Sequence, residues 1–413
     1  MNDVQGESMR MRVFWVLANA VLLVAMGMPL PAASLSFAAD FDAEFDPLAG
    51  VAHASITLTP DSGRVNQLDL KMPPAHYTKI SGDGQIKRAG DRLIWSVPKI
   101  GGTLRYDVNI DNRRDNGAFD ARMTADWVIV RGDDLFPPAV MRAVKGSEAR
   151  SRLRIGLPKG WSDRETGYKL ASDGRFIVVN PKQRFDRPVG WIAAGNLVTR
   201  SEKIDQIDFR VTGPAREGFD RIAILSMLRI ATPDAIEAFG RVPDKVLIVG
   251  AGDPMWRGGL AGPRSFWLHA DRRLQSENGT SPLLHELMHT LTGIHGADRE
   301  DWIAEGLAEY YSIELSRRSG LLSEKLAERA LRSLRKRGAA VKTLQATHSS
   351  GERTARAVGV FADLDAEIRE KSQGKYSLDN VTRSLMKLDE VSIGDIERTV
   401  SKLIGSSDSL RGL

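Results

Sequence analysis

The residues best suited to chemistry are two histidines with a glutamate beside the first, in the segment His285-Glu286-Leu287-Met288-His289. On an α-helix this spacing places both imidazoles on one face, a single turn apart, where their ring nitrogens can converge on one metal ion. Glu286 projects about 100° around the helix from His285, so its carboxylate can address a water beside the metal without ligating the metal. The pattern predicts one Zn²⁺ ion held by the histidines, with Glu286 as the general base of a hydrolase.

The flanking sequence predicts the helix that this arrangement requires. Pro282 suits a first helical turn, Ser281 or Thr280 could cap it, and Gly293 could end it. The alternative is that both histidines are ordinary residues of an amphipathic helix. Because the chain has only seven histidines among 413 residues, two of them at this spacing around a glutamate favour the metal site.

A catalytic zinc site usually has three protein ligands and leaves one position for water. Residues 302–310 read Trp-x-x-Glu-Gly-x-Ala-Glu-Tyr, and residues 302–311 predict a second helix with Asp298 as its N-cap. The segment resembles the one that carries the third ligand in gluzincin metallopeptidases, in particular the glycyl aminopeptidase family and, more distantly, the aminopeptidase N family. The resemblance implies that Glu305 is the third ligand and that Glu309 orients a ligating imidazole. Glu309 remains an alternative ligand, since nineteen residues separate it from His289, as in thermolysin-type enzymes.

A rival third ligand is His295, ten residues after His285, where metzincins place their third histidine. That motif needs glycine at its eighth position, but Thr292 stands there. Met386 is the only later methionine that could form the Met-turn of such enzymes. The metzincin interpretation also leaves the 302–311 helix without a role.

Two further segments are candidates for substrate binding. Residues 265–269 are predicted to form an edge strand before the zinc helix, and in gluzincins such a strand holds extended peptide by main-chain hydrogen bonds. Gly259, Leu260 and Ala261 occupy the place where aminopeptidase N relatives carry an acidic motif for the free amine of the substrate. No glutamate is present in that run. The substrate is therefore predicted to be a peptide or protein, with endopeptidase and aminopeptidase action both open.

The developing oxyanion needs a donor besides the metal. In the related families a tyrosine from a Tyr-x-Lys-Gly motif ahead of a C-terminal helix supplies it. The matching residues 356–359 begin with Arg356, which we predict as the donor, with His348 as an alternative. Losing such a donor costs on the order of 100-fold in rate. A catalytically weak or inactive zinc-containing peptide-binding or scaffold protein of the cell envelope is therefore the alternative function, and a metal-free envelope-binding β module is a third.

The N-terminus predicts export. Arg10 and Arg12 precede the uncharged residues 13–28, a run short for a membrane span and suited to a signal peptide. Cleavage near Ser34 or Ala39 is expected, with an uncleaved N-terminal anchor as the alternative, so any membrane association would involve this segment alone. The chain has no cysteine, which excludes disulfides and favours a Gram-negative periplasm. The net charge of +5 is dispersed and predicts no nucleic-acid binding.

The pattern of the whole chain predicts a multidomain fold of β, α/β and α parts. Residues 1–39 are the signal peptide or anchor, and residues 40–203 alternate in short stretches typical of an all-β sandwich. Residues 204–318 are expected to form the zinc-binding catalytic subdomain and residues 319–413 a helical C-terminal subdomain. The resemblance implies a thermolysin-like gluzincin arrangement for the catalytic part.

Overall fold

The computed structural model describes residues 35–180 and 183–412. Most of the predicted signal peptide lies outside these residues, but residues 35–39 already belong to the first strand. The apolar side chains of that strand alternate with polar ones, and Phe37, Ala39 and Phe41 are buried. A cut near Ala39 would divide the strand, whereas a cut near Ser34 would leave it whole.

The N-terminal region consists of strands and one short helix, as its period-two alternation and frequent Gly, Asp and Pro turns predict. The elements are β1 (Leu35–Asp46), β2 (Val51–Pro60), β3 (Val65–Lys71), β4 (Tyr77–Gly82), β5 (Gln85–Ala89), β6 (Arg92–Ser96), β7 (Gly102–Asn109), β8 (Asn112–Arg113), β9 (Phe119–Met123), β10 (Trp127–Arg131), α1 (Gly132–Leu135), β11 (Ala139–Ala143), β12 (Ser147–Gly156), β13 (Asp163–Thr166), β14 (Lys169–Leu170), β15 (Phe176–Val178) and β16 (Trp191–Gly195).

The C-terminal region begins with a mixed sheet and then becomes helical. Its elements are β17 (Leu197–Ile204), β18 (Ile207–Pro214), α2 (Arg221–Phe239), β19 (Lys245–Val249), β20 (Gly259–Gly262), β21 (Ser265–Leu268), α3 (Pro282–Thr292), α4 (Trp302–Arg318), α5 (Glu324–Gly338), α6 (Glu352–Lys371), α7 (Leu378–Leu385) and α8 (Ile393–Ile404). The predicted succession of a β-rich part and a later helical part is confirmed. No helix within the described ranges is both long and apolar enough to cross a membrane.

Four sheets organise these strands. A seven-stranded sheet (β14-β15-β12-β1-β2-β7-β4) and a four-stranded one (β11-β3-β6-β5) share a core with the linking sheet, β13-β16-β10-β9-β8. The fourth, which we call the cleft sheet, has the order β17-β18-β19-β21-β20. In it β19 is parallel to β18 and β21, while β17 and β20 are antiparallel edges. β17, which the predicted boundary at residue 203 assigns to the sandwich, pairs over its whole length with β18.

The linking sheet is buried on both faces. Val128 and Val130 of β10 face the core of the β region, whereas Trp127 and Ile129 face the cleft sheet and pack in a cluster with Trp267 of β21. The other face of the cleft sheet is covered by the helices. This double burial explains why residues 127–130 are apolar without alternation. Residues 176–179 are a similar apolar run that predicts a buried strand, but this prediction is wrong for two of them, since Ile177 and Val179 are exposed.

A buried charge cluster also joins the two regions. Glu165 on β13 accepts hydrogen bonds from Nε of Arg210 on β18 at 2.8 and 2.9 Å, and Nζ of Lys245 on β19 lies 3.7 Å away. Nζ of Lys245 also donates to the carbonyl of Tyr168 at 2.8 Å. Because Glu165 and Lys245 are both nearly excluded from solvent, each needs the opposite charge of its partners.

Replacing Glu165 by alanine should therefore lower the free energy of unfolding by on the order of 3 kcal/mol, because two cations would remain without their carboxylate. Chemical denaturation of the variant and the wild type measures the loss. The matched control is Glu202→Ala, which removes the carboxylate paired with the exposed Arg229 and should have a much smaller effect. Equal losses in the two variants would contradict the structural role of the buried cluster.

Candidate active site

The two histidines that are predicted to bind metal lie on α3, and local sequence fixes both ends of this helix. Oγ of Ser281 accepts the N–H of the third helical residue at 3.2 Å, and Pro282 takes the first helical position. Gly293 adopts the left-handed conformation, φ 57°, that ends the helix. Apolar side chains on one side of α3 are buried in the helical core. His285 and His289 are left on the side that lines a large cleft.

The two glutamates lie one turn apart on α4, which packs against α3 and α6. Glu305 and Glu309 both line the same cleft as the histidines. The prediction that Asp298 caps this helix is wrong, since Asp301 occupies the N-cap position. Its carboxylate accepts the N–H of Ser349 at 2.6 Å and so ties the start of α4 to the segment before α6.

Three donor groups converge between α3 and α4. Nε2 of His285 lies 3.2 Å from Nε2 of His289. The two carboxylate oxygens of Glu305 lie 3.5 Å from Nε2 of His285 and 3.4 Å from Nε2 of His289. These three residues form the metal-type cluster found within the described part of the chain. His295, the rival ligand, is not part of it.

The spacing of these donors fits a zinc ion. With zinc–ligand distances of about 2.0–2.1 Å, neighbouring ligands of a tetrahedral site lie about 3.3 Å apart. All three separations fall close to that value, with one oxygen of Glu305 near each histidine. Two imidazole nitrogens and one carboxylate are also the ligand types of one class of catalytic zinc sites. The residues present therefore suit Zn²⁺ in both geometry and chemistry.

Glu309 contacts the opposite side of one imidazole. Its Oε2 lies 2.9 Å from Nδ1 of His285, so this ring nitrogen donates to the carboxylate and Nε2 is the nitrogen that faces the cluster. The arrangement agrees with the predicted orienting role of Glu309. It leaves Glu305 as the carboxylate that faces both histidines.

The carboxylates make this position favourable for positive charge. Burial by itself would lower the pKa of His285, but hydrogen bonds to Glu305 and Glu309 outweigh it and raise that pKa to about 10. Burial would raise the pKa of Glu305, but its hydrogen bonds to both histidines hold that pKa well below the ordinary value. The same electrostatic attraction acts on a divalent cation.

Glu286 lies beside the cluster without joining it. It is 8% exposed, and burial raises the pKa of its carboxyl group, while the neighbouring histidines and the N–H of Ala261 act in the opposite direction. The Ala261 N–H belongs to β20 and lies near enough to the Glu286 carboxyl group to lower its pKa. A buried carboxylate with a raised pKa is suited to accept a proton near neutral pH.

The edge strand of the cleft sheet that lies beside α3 is β20, and not residues 265–269 as predicted. Residues 265–268 form β21, which pairs with β19 on one side and with β20 on the other, so their assignment as an edge strand is wrong. Gly259, Leu260 and Ala261, predicted to contact the substrate, lie on the true edge strand and line the cleft. β20 is therefore both an edge strand of the sheet and the strand that approaches Glu286.

Gly259 leaves room for the Glu286 side chain. A Cβ atom at residue 259 would lie 2.6 Å from Oε1 and 2.8 Å from Cγ of Glu286, closer than atoms normally approach. Gly259→Ala should displace Glu286 and lower kcat for peptide hydrolysis by roughly 100-fold, because misplacement of a catalytic group by about 1 Å has that cost. Zinc content should stay unchanged, since the three atoms nearest to the added Cβ all belong to Glu286. Steady-state kinetics and metal analysis of the purified variant measure both effects.

The control for this variant is Gly252→Ala in the loop before β20. A Cβ at residue 252 would meet only Glu217, at 3.2 and 3.3 Å, far less closely than at Gly259. Activity should persist in this variant. Full activity of Gly259→Ala would contradict the positioning of Glu286 by the edge strand.

The cleft has a volume of about 1810 Å³ and lies between the two regions of the chain. β20, α3 and the first turns of α4 form its walls near the histidines, and Asn180 of the β region extends it on one side. The turn that joins α7 to α8 contributes Asp389 and Glu390. Such a cleft is large enough for several residues of an extended peptide.

No family model and no curated protein matches this sequence. Its fold is similar to that of an aminopeptidase N family protein from Idiomarina loihiensis, with a TM-score of 0.63 and 16% identity over 90% of this chain and 76% of that one. The chain shares the aminopeptidase N fold. A second similar structure is Legionella pneumophila aminopeptidase A in complex with aspartic acid, with a TM-score of 0.56 and 13% identity. This chain is covered to 90% in that comparison but spans only 48% of the Legionella protein.

Within this aminopeptidase N fold, the predicted oxyanion donor does not reach the cleft. Residues 356–359 lie inside α6 rather than ahead of it, and the guanidinium of Arg356 donates to the carbonyl of Val341. Neither Arg356 nor the exposed His348 lines the cleft. The residue ahead of α6 that does line it is Ser350.

No sequence pattern indicates Trp191, a residue that holds the edge strand by a hydrogen bond. Nε1–H of Trp191, on β16 of the linking sheet, donates to the carbonyl of Leu260 at 2.9 Å. The backbone N–H of Trp191 donates to Oγ of Ser265 on β21 at 2.8 Å. These partners are 69 and 74 residues away in the chain, so local periodicity carries no signal for them.

Proposed function

We propose that this chain is a zinc-dependent peptidase that hydrolyses peptide bonds with Glu286 as general base. The observation that carries the proposal is the set of three donors at tetrahedral spacing beside a buried glutamate. The aminopeptidase N fold is consistent with this proposal, and the two similar structures are described as an aminopeptidase N family protein and an aminopeptidase. The gluzincin assignment within that fold rests on Glu305 as the third ligand.

Each residue of the site has a separate role in hydrolysis. His285, His289 and Glu305 would hold the ion, and a bound Zn²⁺ would polarise the scissile carbonyl and lower the pKa of a water molecule to about 7. Glu286 takes the proton of the attacking water and passes it to the nitrogen of the leaving amine. Glu309 keeps His285 in the orientation and tautomer that ligation needs.

The edge strand provides a place for the substrate backbone. In an extended strand the N–H and C=O of one residue point to the same side, and alternate residues share that side. Since the N–H of Ala261 reaches Glu286, the carbonyl of Ala261 and the polar groups of Gly259 face the same way. A peptide paired with β20 would therefore run past the general base.

A second function is favoured by one specific observation. Arg356 donates to Val341 and lies outside the cleft lining, so the residue expected to stabilise the oxyanion is committed elsewhere. A weak or inactive zinc-containing peptide-binding protein would keep the same metal cluster without that donor. Retention of Glu286, which a purely structural zinc site does not need, favours the enzyme.

Peptide-library cleavage combined with metal analysis tests the proposal. The purified wild-type protein is expected to hold one zinc ion per chain and to cut peptides at defined bonds, with products identified by mass spectrometry. Stoichiometric zinc without cleavage of any peptide would favour the binding protein. A protein that purifies without metal would exclude both the zinc peptidase and the zinc-containing binding protein. It would leave the hypothesis of a metal-free β module that binds the cell envelope.

A further inference from the structure

We propose that the cleft accepts the interior of a peptide chain, so that this protein cuts internal bonds as an endopeptidase. The inference rests on the proposed peptidase function and specifies its substrate class. It follows from the path of the cleft along β20 and from the charges that line it.

The cleft continues beyond both ends of the edge strand. The residues next to β20 in the chain, Trp256 to Gly258 before it and Pro263 and Arg264 after it, also line the cleft. Glu286 approaches β20 at both Gly259 and Ala261. A peptide in register with β20 therefore has room on both sides of the bond that faces Glu286.

An aminopeptidase must hold the ammonium group of its substrate, and a carboxylate near the reacting bond is the group that does so. Five carboxylates that line the cleft already have partners. Glu286, Glu305 and Glu309 belong to the catalytic cluster described above. Asp301 accepts the N–H of Ser349, and Asp244 pairs with Arg264 at 2.8 Å and with Lys169 at 2.6 Å.

The remaining carboxylates in the lining of the described structure, Asp389 and Glu390, are exposed on the turn between α7 and α8. The segment that follows them pairs with Gly296, past the end of α3. Because both carboxylates are exposed, an ion pair with a substrate ammonium group there would be weak.

The cations of the cleft point to the same conclusion. Five basic side chains line it, namely Arg241, Arg257, Arg264, Arg272 and Lys387. Two of them are neutralised by carboxylates, Arg257 by Asp253 and Arg264 by Asp244, so the repulsion of a terminal ammonium group comes from Arg241, Arg272 and Lys387. The neutral backbone in the middle of a peptide is not affected in this way. The reaction itself is the addition of water across the C–N bond, with the hydroxyl group transferred to the carbonyl carbon and the proton to the leaving amine.

A matched pair of peptides tests the inference with the full-length protein. The two peptides have the same sequence and differ only in acetylation of the amino terminus; products are identified by mass spectrometry. Both should be cut at the same internal bonds with about equal kcat/KM, and single aminoacyl arylamides should not be cut. A site built around the terminal amine would instead lose roughly 10⁴-fold in kcat/KM on acetylation.

Stepwise release of single N-terminal residues, with loss of activity on the acetylated peptide, would overturn the endopeptidase inference and leave the peptidase proposal standing. Absence of any cleavage would overturn both. The double variant Asp389→Asn, Glu390→Gln gives a second readout and should cut both peptides as the wild type does. A selective loss of activity on the free-amine peptide would assign the amine to that turn and would also refute the inference.

Discussion

Glu286→Gln is expected to lower kcat for peptide hydrolysis by about 10²–10⁴-fold, the usual contribution of a general acid–base group. The amide keeps the size of the side chain, and the carbonyl oxygen can still accept the N–H of Ala261. It cannot take a proton from water, so the loss should fall on kcat and not on zinc content. Steady-state kinetics on one defined peptide, with metal analysis of the same preparation, measure both quantities.

The matched control is Glu277→Gln, which changes an exposed glutamate in the loop before α3 and should leave kcat unchanged. If both variants kept wild-type activity, a group other than Glu286 would have to act as the base, and the proposed mechanism would be wrong. If both variants lost activity equally, the effect would reflect the fold and not proton transfer.

Removing a metal ligand should have the other large effect. His289→Ala and Glu305→Gln are each expected to purify without stoichiometric zinc and without measurable peptidase activity, because too few ligands would remain to hold the ion. Glu309→Gln should keep the ion but lower zinc affinity by about 10–100-fold, the usual effect of losing a group that orients a ligand. Competition with a chromophoric chelator orders the affinities of the three variants independently of activity.

These variants also separate the two candidate carboxylate ligands. Loss of zinc in Glu309→Gln but not in Glu305→Gln would make Glu309 the ligand and refute the assignment drawn from the donor distances. His348→Ala, at an exposed histidine outside the cleft lining, is the control and should retain both zinc and activity.

The part of the site that could be predicted from sequence is the part fixed by local spacing. His285 and His289 are one helical turn apart whatever surrounds them, and Glu305 and Glu309 are related in the same way on α4. The Ser281, Pro282 and Gly293 signals likewise bounded α3, because capping depends only on neighbouring backbone groups.

What could not be predicted depends on contacts between distant segments. Whether β20 or β21 is the edge of the sheet is decided by strand order, and both are short apolar or glycine-rich runs that local pattern cannot rank. Residues 356–359 occupy the place of a motif that precedes a helix in the related families, but here the helix begins at Glu352, so the guanidinium of Arg356 lies against Val341. Local pattern carries no signal for Trp191 because its partners lie far away in the chain.

The two-sided burial of the linking sheet has a consequence for engineering. The cleft sheet carries Leu247, Val249 and Trp267 on the face that meets β10 and β16, so a fragment starting at β17 would present that apolar surface to water. The same fragment would lack Trp191, whose indole donates a hydrogen bond to the carbonyl of Leu260. The C-terminal region should therefore not be expressed without the β region, because a truncation before β17 would remove a contact that holds the strand on which a substrate is expected to lie.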